Sequence, residues 1–257
     1  MDLQKPPIVE VWVEFQCDPS PSKRRWDLDT ANEFLKQFSD YFVHTEVLNE
    51  QEFQIATLPT GDRRLDAGEV RLNRVRVRDA EGTRWLQLGE DVLVYNIVKK
   101  AGAYPGFETL CKDAWEKFAA YVRHFQPTCV RKLRLHYLDR VEIPCSPGER
   151  IDLDEFFLVG VKFPDAPFGA LSRFAIQLAP DSGHADDHVS LAFRSEQRSA
   201  DAKVSRMVMD WEATSANVGS LSHDDIMDRL ERAHARIRDC FQASFTPKGW
   251  ALFDPIE

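Results

Sequence analysis

The chain lacks the signatures that most quickly assign an activity. It carries no Walker or G-x-G-x-x-G phosphate loop, no G-x-S-x-G elbow, no H-E-x-x-H pair and no kinase set. Ser20-x-x-Lys23 matches a catalytic pair only by chance, inside a proline-rich turn. No stretch approaches the roughly 18 apolar residues that a bilayer-spanning helix needs. Met1 to Pro7 has neither a basic lead nor an apolar core and does not read as a signal peptide. Cysteine is scarce: the five residues Cys17, Cys111, Cys129, Cys145 and Cys240 are widely spaced, with no C-x-x-C pair. That argues against a disulfide framework or zinc knuckle and points to reduced thiols in a cytoplasmic protein. Excess positive charge is missing too. A net charge of −9 disfavours broad attraction to nucleic acid and to anionic lipid, so no membrane partner is expected.

What is present is an ordinary globular composition, 43% hydrophobic and 29% charged over 257 residues, enough to bury a substantial core. Ile8–Cys17 alternates, with Val9, Val11, Val13 and Phe15 on one side and Glu10, Trp12, Glu14 and Gln16 on the other. Period two with one apolar side is a half-buried strand. The prolines of Asp18–Ser22 end it. Helical spacing of Leu28, Ala31, Phe34, Leu35 and Phe38 predicts a helix over Leu28–Phe38, with Asp27 as a capping residue. Three extended segments follow at Glu52–Leu58, Leu72–Arg78 and Arg84–Lys99, the last open to division by a turn at Gly89-Glu90-Asp91 into Arg84–Leu88 and Val92–Lys99, with Pro59–Gly68 reading as a polar loop. Thr109–Phe125 is an amphipathic helix.

The same order then returns. Lys132–Pro144 is a strand, Asp152–Leu158 a short helix, and Leu171–Ala179, Val189–Ser195 and Val204–Thr214 are strands. Ser222–Phe245 is a long helix, opened by a Ser222/Asp225 capping box and buried through Ile226, Leu230, Ala233, Ile237 and Phe241. The expectation is an α+β fold. A large antiparallel sheet of about eight strands is built from two related β-α-β-β-β-α halves, with long helices packed on one face. Residues 1–257 form a single domain of two pseudo-repeats, 8–126 and 131–246, for which divergent duplication is the natural hypothesis.

Helices on one face leave the other lined by polar side chains. Trp12 lies there among glutamates; Arg74, Arg76 and Arg78 share a side of their strand, and His136 and Arg140 share one on Lys132–Pro144. A tryptophan among charges suits a contact anchor, and arginine forks match phosphate or carboxylate oxygens. These six residues are the candidate binding set; no catalytic residue is assigned. His184-Ala185-Asp186-Asp187-His188 reads as a polar surface loop, so neither metal nor cofactor is expected. Asp139 interrupts an apolar side. It pairs across the sheet, marks a bulge that flips the register, or occupies a pocket with a raised pKa. His234, near the buried stripe of the last helix, reads first as a satisfied core histidine.

Six segments in fixed order resemble a known family: Pro6-Pro7-Ile8-Val9-Glu10-Val11, Leu86-Gln87-Leu88-Gly89, Tyr104-Pro105-Gly106-Phe107-Glu108, Tyr137-Leu138-Asp139-Arg140-Val141-Glu142-Ile143-Pro144, Ala233-His234 and Phe245-Thr246. They resemble a sporadically distributed family of uncharacterised bacterial proteins of about this length. The resemblance implies no activity and no site residue. The family's patchy distribution hints at a defence or mobile-element setting, as an antitoxin, immunity or accessory component. The first functional expectation is therefore a non-enzymatic binding or regulatory protein. It would meet a protein partner, or a second copy of itself, through the exposed sheet face. The alternatives are a small-molecule or hydrolytic pocket between sheet and long helices, and a phosphate-backbone binder, which the net charge disfavours.

Overall fold

The computed structural model describes residues 6–20, 26–57, 63–100, 104–149, 151–160, 174–179, 186–196, 201 and 203–254, with backbone only for 51–57 and 63–71. Nine strands lie among the described residues: β1 (Ile8–Asp18), β2 (His44–Thr57), β3 (Arg63–Arg78), β4 (Arg84–Gly89), β5 (Val92–Val98), β6 (Cys129–Pro144), β7 (Ala175–Leu178), β8 (Asp187–Ser195) and β9 (Val204–Ala216). They form one antiparallel sheet in the order β2-β3-β4-β5-β1-β6-β9-β8-β7. The helices are α1 (Leu28–Leu35), α2 (Phe107–Phe125), α3 (His223–Ala243) and α4 (Pro247–Trp250).

The two halves share one pairing plan. β1 pairs with β5, the last strand of its meander, and β6 pairs with β9, the last of its own. The two opening strands then pair with each other, Val11 opposite Tyr137, Trp12 opposite His136 and Val13 opposite Leu135. That central ladder makes one sheet of both halves.

Alternation decides what each strand buries. Val11, Val13 and Phe15 of β1, Tyr95 and Ile97 of β5, and Leu133, Leu135 and Tyr137 of β6 face the helices and are buried. α2 packs over β1 and β5, and α3 over β6, β8 and β9. The Phe118 ring of α2 lies 4.2 Å from that of Phe15, nearly parallel. Burying such a side chain contributes about 2–3 kcal/mol. Gly106, at φ 96°, sets the entry to α2 in a conformation that favours glycine. Ser222 caps α3 by accepting from the Asp225 N–H at 3.2 Å. The expected box closes differently, because Asp225 takes the Ser220 hydroxyl at 2.6 Å instead of the Ser222 N–H.

The first half departs from expectation at its edge. β2 begins at His44, not Glu52, and β3 begins at Arg63, inside the segment read as a loop. Only Arg74–Arg78 of β3 meets β4, so the earlier residues form a two-stranded ribbon with β2. A ribbon with no third strand needs no apolar alternation, which is why its sequence reads as polar. Register shifts at Leu48/Asn49 and Gln51/Phe53 bend that edge strand, a feature that discourages edge pairing. In the second half the helix expected at Asp152–Leu158 shortens to one 3-10 turn, Leu153–Glu155. β7 occupies only part of Leu171–Ala179, whose first three residues lie outside the described set. α4, begun by Thr246 and Pro247, is an addition to the expected elements.

Candidate functional site

The register assembles the open face row by row. Across the middle run Arg78, Trp85, Asn96, Trp12, His136, Glu212 and Ser190, each opposite the next on the neighbouring strand. Trp12 and His136 stack at the centre, ring centroids 3.3 Å apart at 19°. His136 Nε2 is paired with the Asp210 carboxylate. Its Nδ1 is buried without a hydrogen-bond partner among the described residues. One row over, Glu14 accepts from Arg134 Nη1 at 2.8 Å and Gln16 Nε2 at 2.7 Å. Glu212 accepts from the Thr214 hydroxyl at 3.0 Å and lies 3.8 Å from Arg134 Nε. Asn96 donates to Glu10 at 2.7 Å and accepts from Gln87 at 3.3 Å.

The centre of this face is not solvated, although Arg140, Glu142 and Arg206 toward its rim are exposed. Glu14, Asn96, His136 and Thr214 are all buried on the side opposite the helices. A buried carboxylate or imidazole costs free energy unless neighbours satisfy it, and each bond here helps fix the orientation of the next. The result is a rigid polar layer with a tryptophan at its centre.

The candidate residues therefore share one face, though not one cluster. Trp12 and His136 are in contact. Arg74, Arg76 and Arg78 lie across β4 and β5 from them. Arg76 donates through Nε to Glu46 at 3.1 Å, and its guanidinium sits 4.8 Å from the centre of the Trp85 ring. Arg78 approaches the same ring at 5.5 Å. Arg140 belongs to the other half of the face and donates to Glu196 at 3.2 Å. Sequence reasoning missed Trp85. Its signal was local: alternation with the buried Leu86 and Leu88 places it on the open face. The carboxylates were visible in the sequence, but their pairing depends on register.

A second arrangement lies on the helix side of β6. Ile8 pairs with Asp139 and Glu10 with Leu138, so Val9 is an extra residue and β1 bulges there. The bulge opens a pocket of about 120 Å³ against α3, walled by Pro7, Ile8, Ile237 and Phe241, with Tyr137, Asp139 and His234 as its inner polar groups. The Tyr137 hydroxyl lies 3.0 Å from His234 Nδ1, and the His234 ring stacks on Phe107 at 4.1 Å. Asp139 is 4% exposed and has no hydrogen bond from any described residue. Burial first, then the charge of Asp210, push its carboxyl up to about 7, against the opposing pull of Lys99. Burial and Arg238 hold His234 below the usual imidazole range. Of the three readings of Asp139 the pocket holds; the bulge lies in β1 at Val9, and β6 keeps its alternation, so the register at Asp139 is not flipped.

Among the described residues no group of three or more histidines, cysteines, aspartates or glutamates could hold a metal ion. His184 and Ala185 lie outside them; Asp186 accepts from Asn217 at 2.8 Å, and Asp187 lies 3.9 Å from Arg229. Among the described residues no helix is long and apolar enough to cross a membrane.

No family model matches the chain, and no curated protein matches it. Among solved structures, one similarity is to the Schizosaccharomyces pombe Pct1 RNA triphosphatase in complex with the Spt5 CTD. It has 10% identity and a TM-score of 0.16, and covers 98% of this chain and 88% of that one. A likeness of that size carries no argument about fold or function.

Proposed function

We propose that the chain is a non-enzymatic binding or regulatory protein that meets a protein partner through its open sheet face. The observation that carries this reading is the central row, in which Trp85 and Trp12 flank Asn96 and Arg76 and Arg78 lie against Trp85. Tryptophan and arginine on a rigid, already ordered support are the side chains on which interface energy concentrates. The arginines favour a protein partner over a phosphate backbone. Glu46, Glu14 and Glu196 already hold Arg76, Arg134 and Arg140. An antitoxin, immunity or accessory role in a bacterial defence or mobile-element system belongs to the same proposal.

The test is co-purification from lysate of the cell of origin, comparing wild type with Trp12→Ser, Trp85→Ser and a control on the outer side of α3, Arg232→Ala. The expected result is a stoichiometric protein partner, or a second copy, that both tryptophan variants lose and the control keeps. A partner retained by both tryptophan variants would overturn the reading.

A further inference from the structure

We propose that the pocket between β6 and α3 is a separate small-molecule site, for a ligand with a compact apolar body and a single amine head that pairs with Asp139. It lies on the opposite side of the sheet from the proposed partner surface and does not depend on that reading. Three observations converge on the ligand class.

Pocket size comes first. About 120 Å³ admits a body of roughly five to eight heavy atoms, since a cavity of roughly 150 Å³ holds one benzene ring. Second, the wall is apolar: Pro7, Ile8, Ile237 and Phe241 offer surface and no hydrogen bonds through their side chains. The third is the carboxylate. Asp139 is buried, lines the pocket, and receives no donor from the described residues, although a carboxylate has room for several. The cation that acts on its carboxyl is Lys99, whose ammonium donates to the Pro6 carbonyl at 2.8 Å. Arg238, at the pocket's edge, is 55% exposed and lies 3.6 Å from Asp239. An alkylammonium supplies what is missing, a compact donor whose charge opposes that of Asp139.

The remaining polar groups fit this class. Tyr137 and His234 are engaged with each other, and His234 is clamped against Phe107. With its pKa lowered, His234 is neutral near pH 7 and does not repel an incoming cation. Asp139 titrates close to neutrality, so the site strengthens for an ammonium as pH rises toward 8.

The experiment uses the full chain with cyclopentylamine, and with cyclopentanol as its neutral counterpart, followed by calorimetry and by NMR of the Asp139 carboxyl carbon. Cyclopentylamine is expected to bind at pH 8 and to move the Asp139 titration to lower pH. Asp139→Asn is expected to weaken that binding by about tenfold or more. Cyclopentanol is expected to leave the titration in place. The proposal is overturned if amine and alcohol bind alike, if the Asn variant binds the amine as well as wild type does, or if millimolar amine leaves the Asp139 titration unmoved. The NMR titration is read on wild type, so the outcome does not depend on the folding of a variant.

Discussion

His136 and Asp139 stand three residues apart on the same central strand, both buried, on opposite sides of the sheet. The imidazole stacks on Trp12, holds Asp210 and belongs to a layer of cross-strand bonds. The carboxyl faces a largely apolar pocket and accepts from none of the described residues. A polar group tied into a network rigidifies the surface around it. One left alone in an apolar wall destabilises the fold and stays only where something else uses it. The contrast separates a surface shaped for a large partner from a pocket shaped for a small one.

The strongest way to break that contrast is Asp139→Asn. The folded pKa, about 7, lies above the usual 3.8, so the native state holds its proton longer than the unfolded chain. The contribution of Asp139 to stability is therefore most favourable below pH 4, falls as pH rises to about 7, and is flat above. Asn removes the penalty. Urea unfolding should show a gain of up to about 4 kcal/mol at pH 8 and almost none at pH 4. The next largest effect is on the open face. Arg134→Ala leaves the Glu14 carboxylate, whose side chain is 9% exposed, without its cation and with Gln16 as its remaining donor, and should cost about 3 kcal/mol at pH 7. The double change Glu14→Leu with Arg134→Met should recover most of that loss, measured as a double-mutant cycle.

A smaller effect sharpens the comparison by linking its two members. Asp210 holds His136 and also raises the pKa of Asp139 through the sheet. Asp210→Asn should therefore lower the Asp139 titration midpoint, read by carboxyl-carbon NMR, without opening the pocket. The smallest effect belongs to the rim. Arg206→Ala removes an exposed bond to Glu142 and should leave the unfolding midpoint unchanged.

The fold was legible where burial imposes a period. β1, β6 and β9 alternate because one side of each meets a helix, and α2 and α3 carry their stripes for the same reason; β5 is buried on both sides from Val92 to Ile97 and reads as an apolar run. The β2–β3 ribbon was legible only in part, since among the described residues no third strand pairs with its far end. The open face could be assigned as polar from alternation alone. Which carboxylate meets which arginine could not, because Glu14 and Arg134 are neighbours only through the pairing of two strands 120 residues apart. Asp139 stood out as a charge on an apolar side. The pocket that explains it needed the extra residue Val9 and the passage of α3 overhead.

Hydrogen exchange of the protein, free and bound to its captured partner, tests the assignment of the open face most directly. Slowed exchange is expected in β1 and β4 around Trp12 and Trp85, with the outer sides of α2 and α3 unaffected. Protection confined to those helices, with β1 and β4 unchanged, would contradict it.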